Sequence, residues 1–360
     1  MAPIRVLVVD DSVVIRRMVS GILGEDPRLE VVGTAPNGRI GLQKISQVNP
    51  DVVTLDIEMP EMDGLETLRE LRHTWPALPV IMFSALTERG AAATLEALSL
   101  GASDYVTKPA GVGNQQESLN RIRDDLIPRI VALAGHPATA ESPRPVVSPP
   151  APRPLGHRGA ADPVEIVAIG VSTGGPNALA RLLPMLPVDF PLPIVIVQHM
   201  PPVFTRFLAE RLSAASKLKV EEARSGQRLE PGAVWIAPGN YHMVVHRGVD
   251  GVTLGLNQGP AENSCRPSVD VLFRSVAEAY GGRALAVVLT GMGQDGLHGA
   301  RQLRTEGSSV IVQDEASSVV WGMPGFIAQA GLADEVLSLD QIAGGLLRRV
   351  SLTASAGRPR

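Results

Sequence analysis

Cysteine is all but missing from this chain. Cys265 stands alone among 360 residues, which excludes an internal disulfide framework and fits a reducing compartment. An excess of basic charge is missing too. The 33 basic side chains face 37 acidic ones, for a formal net charge of -4. Nucleic acid as a main partner, which requires a basic surface, is therefore not expected. No uninterrupted apolar run reaches the roughly 18 residues of a membrane span, so any membrane association should run through a partner, without direct insertion. The opening MAPIRVLVVDDS meets Asp10 and Asp11 too early for a secretory signal. Together these absences predict a cytoplasmic protein.

What is present is an α/β pattern repeated in two blocks. The hydrophobic fraction of 44% lets each block bury its own core. In residues 1–134, apolar β-rich runs at 4–9, 29–35, 52–56, 80–84 and 104–107 alternate with helical patterns. Such alternation predicts parallel βαβ units in a doubly wound sheet. From 135 to 163 prolines recur and large apolar side chains thin out, so this stretch reads as a proline-rich linker. A second doubly wound parallel domain is expected over 164–350, with strands at 165–170, 193–197, 284–289 and 309–313. Short, turn-rich spacing around 233–237 and 243–246 predicts an antiparallel insertion. Residues 351–360 read as a short, frayed, disordered tail.

Ligands of a parallel sheet bind beyond the carboxyl ends of its strands. In the first domain Asp10, Asp11, Asp56, Ser84 and Lys108 all fall at such ends. Three carboxylates gathered there repel one another unless a cation joins them, and their hard oxygens suit Mg²⁺. With the cation bound, one carboxylate can attack phosphorus and form an aspartyl phosphate, while Lys108 neutralises a phosphoryl oxygen. Asp10-Asp11, Asp56 with Met59-Pro60 and Asp63-Gly64, Ser84-Ala85, Tyr105 and Lys108-Pro109 resemble the receiver domain of two-component response regulators over about the first 120 residues. The resemblance implies that Asp56 is the phosphoacceptor and that a histidine kinase supplies the phosphoryl group. It implies that Asp11, Asp56 and the Glu58 carbonyl ligate Mg²⁺, with Asp10 nearby. Ser84, Lys108 and Tyr105 would form the phosphoryl switch.

The second domain carries Gly170-Val171-Ser172-Thr173-Gly174-Gly175. The pattern matches a nucleophile elbow, with glycines permitting a tight strand-to-helix turn; a phosphate-binding glycine loop would look similar. A nucleophilic serine needs a base, and the base needs an orienting acid. Gln198-His199-Met200 and Thr290-Gly291-Met292-Gly293-Gln294-Asp295-Gly296 follow other strands of the same domain and so lie at the same edge. The order Ser–His–Asp departs from the Ser–Asp–His of α/β-hydrolases. These segments are similar to the catalytic domain of the chemotaxis protein-glutamate methylesterases. So are Gln198 to Pro201, Ala237-Pro238-Gly239 with His242, Arg266 to Asp270, and Trp321-Gly322-Met323-Pro324. The resemblance implies that Ser172 is the nucleophile, His199 the general base and Asp295 the orienting acid. The backbone N–H groups of Met292 and Thr173 would be the oxyanion donors. The esterase site would need no cofactor. Glutamate methyl esters on chemoreceptor cytoplasmic helices would be hydrolysed to release methanol, and receptor glutamines deamidated.

Other residues read less sharply. His242 and His246 share one face of an extended segment, too far apart for zinc. Cys265 beside Arg266 has no base assigned to it by the sequence, and a structural role is expected. Asp270 either caps the helix that follows it or contacts substrate. The competing functional reading is a non-catalytic signalling adaptor, a receiver tethered to an α/β binding module.

Overall fold

The computed structural model describes residues 2–108, 115–134, 163–249 and 251–356. The first domain alternates β1 (Ile4–Val9), α1 (Val13–Gly24), β2 (Leu29–Ala35), α2 (Gly38–Val48), β3 (Val52–Asp56), α3 (Gly64–Thr74), β4 (Val80–Ser84), α4 (Glu88–Ser99), β5 (Asp104–Thr107) and α5 (Gln115–Ala134). Its strands pair in parallel in the order β2-β1-β3-β4-β5. Helix starts follow the local chemistry. Ser12, Asn37 and Thr87 accept backbone N–H bonds at the starts of α1, α2 and α4, and Asp63 with Glu66 closes a capping box on α3. Strand order reverses between β1 and β3, so the crevice of the switch point opens between Asp10 and Asp56.

The second domain contains β6 (Ile166–Val171), α6 (Gly175–Leu182), β7 (Ile194–Gln198), α7 (Phe204–Ala215), β8 (Lys219–Glu222), β9 (Ala233–Ile236), β10 (His242–Gly248), β11 (Gly251–Asn257), α8 (Val269–Tyr280), β12 (Ala284–Val288), α9 (Leu297–Thr305), β13 (Ser309–Gln313), α10 (Met323–Gln329), β14 (Glu335–Leu337) and α11 (Leu339–Ala356). Seven strands form a parallel sheet in the order β14-β13-β12-β6-β7-β9-β8. Its five inner strands are buried along nearly their whole length, as helices on both faces require, while the edge strands β8 and β14 are more open. Order reverses between β6 and β12, which opens the second switch-point crevice beside Ser172.

Two expectations need correction. β9 is not part of an antiparallel insertion. It pairs in parallel with β7 and β8 in the main sheet, and among the described residues the antiparallel sheet is the hairpin β10-β11. Short turn-rich spacing described the loops around β9 and left its partners undetermined. The expected tail from 351 is also too long, because α11 runs on to Ala356. The linker lies outside the described residues except for Pro163.

Candidate functional site

Register sets the second domain's site. Val171 of β6 pairs with Gln198 of β7, so Ser172 and His199 are the next residues on neighbouring strand ends. The His199 N–H donates to the Val171 carbonyl at 3.1 Å, and the Ser172 N–H to the Thr290 carbonyl at 3.0 Å. Gly174 adopts φ +76°, and a Cβ there would meet Val319 at 2.6 Å. The turn from β6 into α6 can therefore be made only by glycine. Gly291 presses equally close: an added Cβ would lie 2.9 Å from Ser172 Cβ. That contact brings the loop carrying Met292 flush against the serine. The Thr290 hydroxyl donates to the Thr173 carbonyl at 2.9 Å and so ties the two loops together.

His199 is oriented from behind. Its Nε2 lies 2.8 Å from Asp295 Oδ2, leaving Nδ1 as the nitrogen turned to the cleft. Asp295 is 1% exposed. It accepts bonds from the Val269, Asp270 and Gly296 N–H groups, from the Ser268 hydroxyl and from Asn263 Nδ2. Burial works against its charge, but the His199 bond and these donors outweigh it and take its pKa down to about 2. The N-terminus of α8 adds its dipole to the same end. Burial likewise disfavours a charged His199, yet Cys265 and Asp295 beside it hold the imidazole pKa above its ordinary value.

Several residues take roles the sequence left open or missed. Asp270 faces inward as a brace: its carboxylate accepts from the Gly299 N–H at 2.6 Å and from Asn263 at 3.0 Å. His242 is a satisfied structural histidine between Pro260 O and the Ser268 N–H, while His246 is exposed on the same strand. Cys265 does have a base beside it, contrary to expectation. Its Sγ lies 3.6 Å from His199 Nδ1. Asn263 escaped notice, and Ser268 stood in a matching segment without a role, because polar residues before a helix look like ordinary caps; their target, Asp295, is remote in sequence.

In the first domain, Lys108 Nζ lies 2.6 Å from Asp56 Oδ2 and 3.1 Å from Asp10 Oδ2. Ligand oxygens of Asp10, Asp11 and Asp56 all lie within 4.8 Å of one another, a hard-oxygen donor set suited to Mg²⁺. Burial is the main force pushing the Asp56 pKa up to about 6, with Asp10 helping and Lys108 opposing. Burial opposes the Lys108 charge, but Asp56 and Asp10 outweigh it and raise its pKa. Glu58 offers its N–H to Asp56 Oδ1 at 3.3 Å, while its side chain turns to Arg89. The buried Ser84 hydroxyl donates to the Gly90 carbonyl of α4 at 3.1 Å.

The two domains meet over the serine site. Tyr105 stacks on Phe204 of α7, ring centroids 5.2 Å apart. The adjacent Asp104, buried and paired with Arg129, accepts a 2.9 Å bond from the Thr173 hydroxyl. Asn177 Nδ2 donates to the Leu98 carbonyl at 2.7 Å, Arg211 donates to the Leu95 carbonyl, and Arg206 pairs with Glu88. A cleft of about 610 Å³ remains, lined from one side by Leu86, Tyr105 and Arg129 and from the other by His199, Cys265 and Arg266. Among the described residues no helix is long and apolar enough to cross a membrane.

Comparison with known proteins agrees with this division. Residues 167–346 match the CheB methylesterase family and residues 6–120 the response regulator receiver domain. A protein-glutamate methylesterase/protein-glutamine glutaminase of Trichodesmium erythraeum is 54% identical over 97% of this chain and 100% of its own length. One from a Nocardioides species is 53% identical over 98% of this chain and 96% of its own. Among solved structures, the CheB methylesterase catalytic domain of Thermotoga maritima is 44% identical with a TM-score of 0.51, covering 51% of this chain and 98% of that one.

Proposed function

The chain belongs to the CheB methylesterase family, with a response regulator receiver domain ahead of its catalytic domain, and from that premise we propose that it is a phosphorylation-controlled serine esterase of cytoplasmic chemotaxis. It hydrolyses glutamate methyl esters on chemoreceptor helices and deamidates receptor glutamines. The observation that carries this reading is the register that sets Ser172 beside His199, with His199 Nε2 held by Asp295 at 2.8 Å. A non-catalytic adaptor would have no use for so fully satisfied an orienting acid.

The reaction follows from the atoms available. His199 Nδ1 takes the Ser172 Oγ proton as Oγ bonds to the ester carbonyl carbon. Charge develops on the carbonyl oxygen, towards which the Thr173 and Met292 N–H groups would point; one such donor is worth about 10²–10³ in rate. Collapse breaks the bond to the methoxy oxygen, which leaves as methanol with the proton from His199. Water then attacks the acyl-serine, giving its proton to His199. The glutamate carboxylate departs and Ser172 recovers its hydrogen. With glutamine as substrate, ammonia is the leaving group. Asp295 stays ionised throughout and holds the ring.

In the receiver, Asp10, Asp11 and Asp56, with the Glu58 carbonyl, would hold Mg²⁺, which when bound screens the carboxylates and a phosphoryl oxygen. Asp56 is the phosphoacceptor for a histidine kinase. Lys108 neutralises the phosphoryl group, Ser84 follows it, and Tyr105 carries the change to α7. The tight receiver contact at Thr173 and Phe204 supports a covered, resting enzyme that phosphorylation opens. Methanol release from methylated receptor membranes, with and without a small phosphodonor and Mg²⁺, tests the whole. Release should rise with phosphodonor, be absent in Ser172→Ala and lose its phosphodonor response in Asp56→Asn. Near-normal turnover by folded Ser172→Ala would refute the assignment.

A further inference from the structure

The one cysteine of this chain lies at the catalytic base. Cys265 closes a four-residue turn whose Glu262 and Cys265 exchange both backbone hydrogen bonds, at 2.8 and 3.1 Å. Its central residues, Asn263 and Ser264, both have positive φ, at 51° and 62°, the geometry of a primed hairpin turn. Arg274 of α8 pins the turn through Glu262 at 2.9 Å. The turn therefore holds two side chains towards the site: Asn263 on Asp295, and Cys265 on the open nitrogen of His199.

The spacing suits a shared ligand as well as it suits the weak sulfur hydrogen bond, and the thiol also reaches the Asn263 carbonyl at 3.4 Å. Sγ and Nδ1 are 3.6 Å apart. Tetrahedral zinc, with bonds of about 2.3 Å to sulfur and about 2.0–2.1 Å to nitrogen, sets those two atoms about 3.6 Å apart. Behind the imidazole, Asp295 holds Nε2 as carboxylates do behind metal-bound histidines. Both Asp295 oxygens are already engaged by protein donors, so it orients the ring and leaves the metal to Nδ1 and Sγ. The cleft of about 610 Å³ that His199 and Cys265 line admits the ion and the waters that complete its coordination.

We propose that His199 and Cys265 form an inhibitory site for a borderline-soft divalent cation, zinc above all, which occupies the base nitrogen and silences the esterase. Binding releases the thiol proton to solvent. The site is chemically separate from the receiver's carboxylates, since Mg²⁺ prefers hard oxygens and thiolate with imidazole selects zinc. The inhibition rests on the esterase reading; the binding does not.

Cobalt(II) tests the binding on the full chain in excess Mg²⁺. A thiolate-to-cobalt charge-transfer band should appear in wild type and in Ser172→Ala, and zinc should abolish it by displacement. Cys265→Ser should show no band, and His199→Ala should need at least tenfold more cobalt to develop one. Zinc should suppress methanol release reversibly, with a chelator restoring it. Half-inhibition of Cys265→Ser, relative to its own zinc-free rate, should need at least tenfold more zinc. No thiolate band in wild type, or a band of unchanged affinity in His199→Ala, would overturn the site. Equal zinc sensitivity of wild type and Cys265→Ser would overturn the inhibition. A normal band with no turnover in any form would leave the cation site standing and reject both the inhibition and the esterase reading.

Discussion

Asp295 and Asp56 are both buried carboxylates, and their surroundings drive them in opposite directions. Around Asp295, donors outnumber any competing charge and hold it ionised. Asp295→Asn should therefore cost turnover by orders of magnitude, about 10⁴-fold in the comparable serine protease substitution. Asp295 also raises the His199 pKa, and the neutral ring is the active form. The residual rate should accordingly begin its rise at lower pH than in wild type, which a pH–rate profile reads directly. Around Asp56, burial and Asp10 outweigh Lys108, so its pKa stands at about 6 against an unfolded value of 3.8. A carboxyl raised in the fold favours folding while protonated. That contribution is complete below 3.8 and is lost as pH rises to about 6. The carboxylate then weakens the metal-free receiver by about 3 kcal/mol. Asp56→Asn should raise the receiver Tm at pH 7.5 without Mg²⁺ and leave it little changed at pH 3.5; an equal gain at both would disprove the linkage. At this scale the gathering of Ser172, His199 and Asp295 at the edge of one sheet, and of Asp10, Asp11, Asp56 and Lys108 at that of the other, was legible, because ligands of a parallel sheet meet the loops beyond its strands' carboxyl ends. The roles of Asn263, Cys265 and Ser268 were not, because the turn over Glu262 to Cys265 brings in the first two and the start of α8 the third, and periodicity carries no trace of either placement.

Among elements, the parallel strands could be read from their unbroken apolar runs, and both switch points followed once strand order was known. β9 could not be placed, since four apolar residues fit a hairpin or a central sheet equally well and pairing alone decides. The faces of α4, α6 and α7 were invisible for a different reason. Arg206, Arg211 and Asn177 look like solvated helix positions, yet they meet the other domain's α4. α4 is also where the Ser84 hydroxyl bonds, through Gly90. A shift of Ser84 towards a phosphoryl group would release that bond at the first turn of α4, beside the Glu88 that Arg206 holds, and so loosen the seating of the helix that Arg211 and Asn177 grip further along. A typical hydrogen bond contributes about 1 kcal/mol net, or roughly fivefold in an equilibrium. Arg211→Ala should therefore raise unphosphorylated methanol release severalfold and leave the fully phosphorylated rate nearly unchanged. An equal change in both rates would show that Arg211 acts on the catalytic domain itself.

For the whole molecule, the question is whether one equilibrium between covered and open arrangements accounts for control. Among the described residues, the covered arrangement rests on the Tyr105–Phe204 stack, the buried bond from Thr173 to Asp104, polar contacts of α4 with α6 and α7, and apolar packing that runs continuously between the two domains' cores. Moving a population from mostly covered to mostly open requires about 5.5 kcal/mol at most. Covalent reach does not limit the opening, since the chain between Ala134 and Pro163 spans up to roughly 100 Å when extended. Thr173 gives the cover a second effect, because the hydroxyl bound by Asp104 belongs to the residue next to the nucleophile. A catalytic fragment beginning at Pro163 should thus be free of both steric cover and that bond. It should release methanol faster than the unphosphorylated full chain and ignore phosphodonor, whereas the full chain should rise towards the fragment's rate when phosphorylated. If the fragment is slower than the resting full chain on receptor membranes but equal to it on a small soluble ester, the receiver delivers the enzyme to its receptors and does not cover the serine.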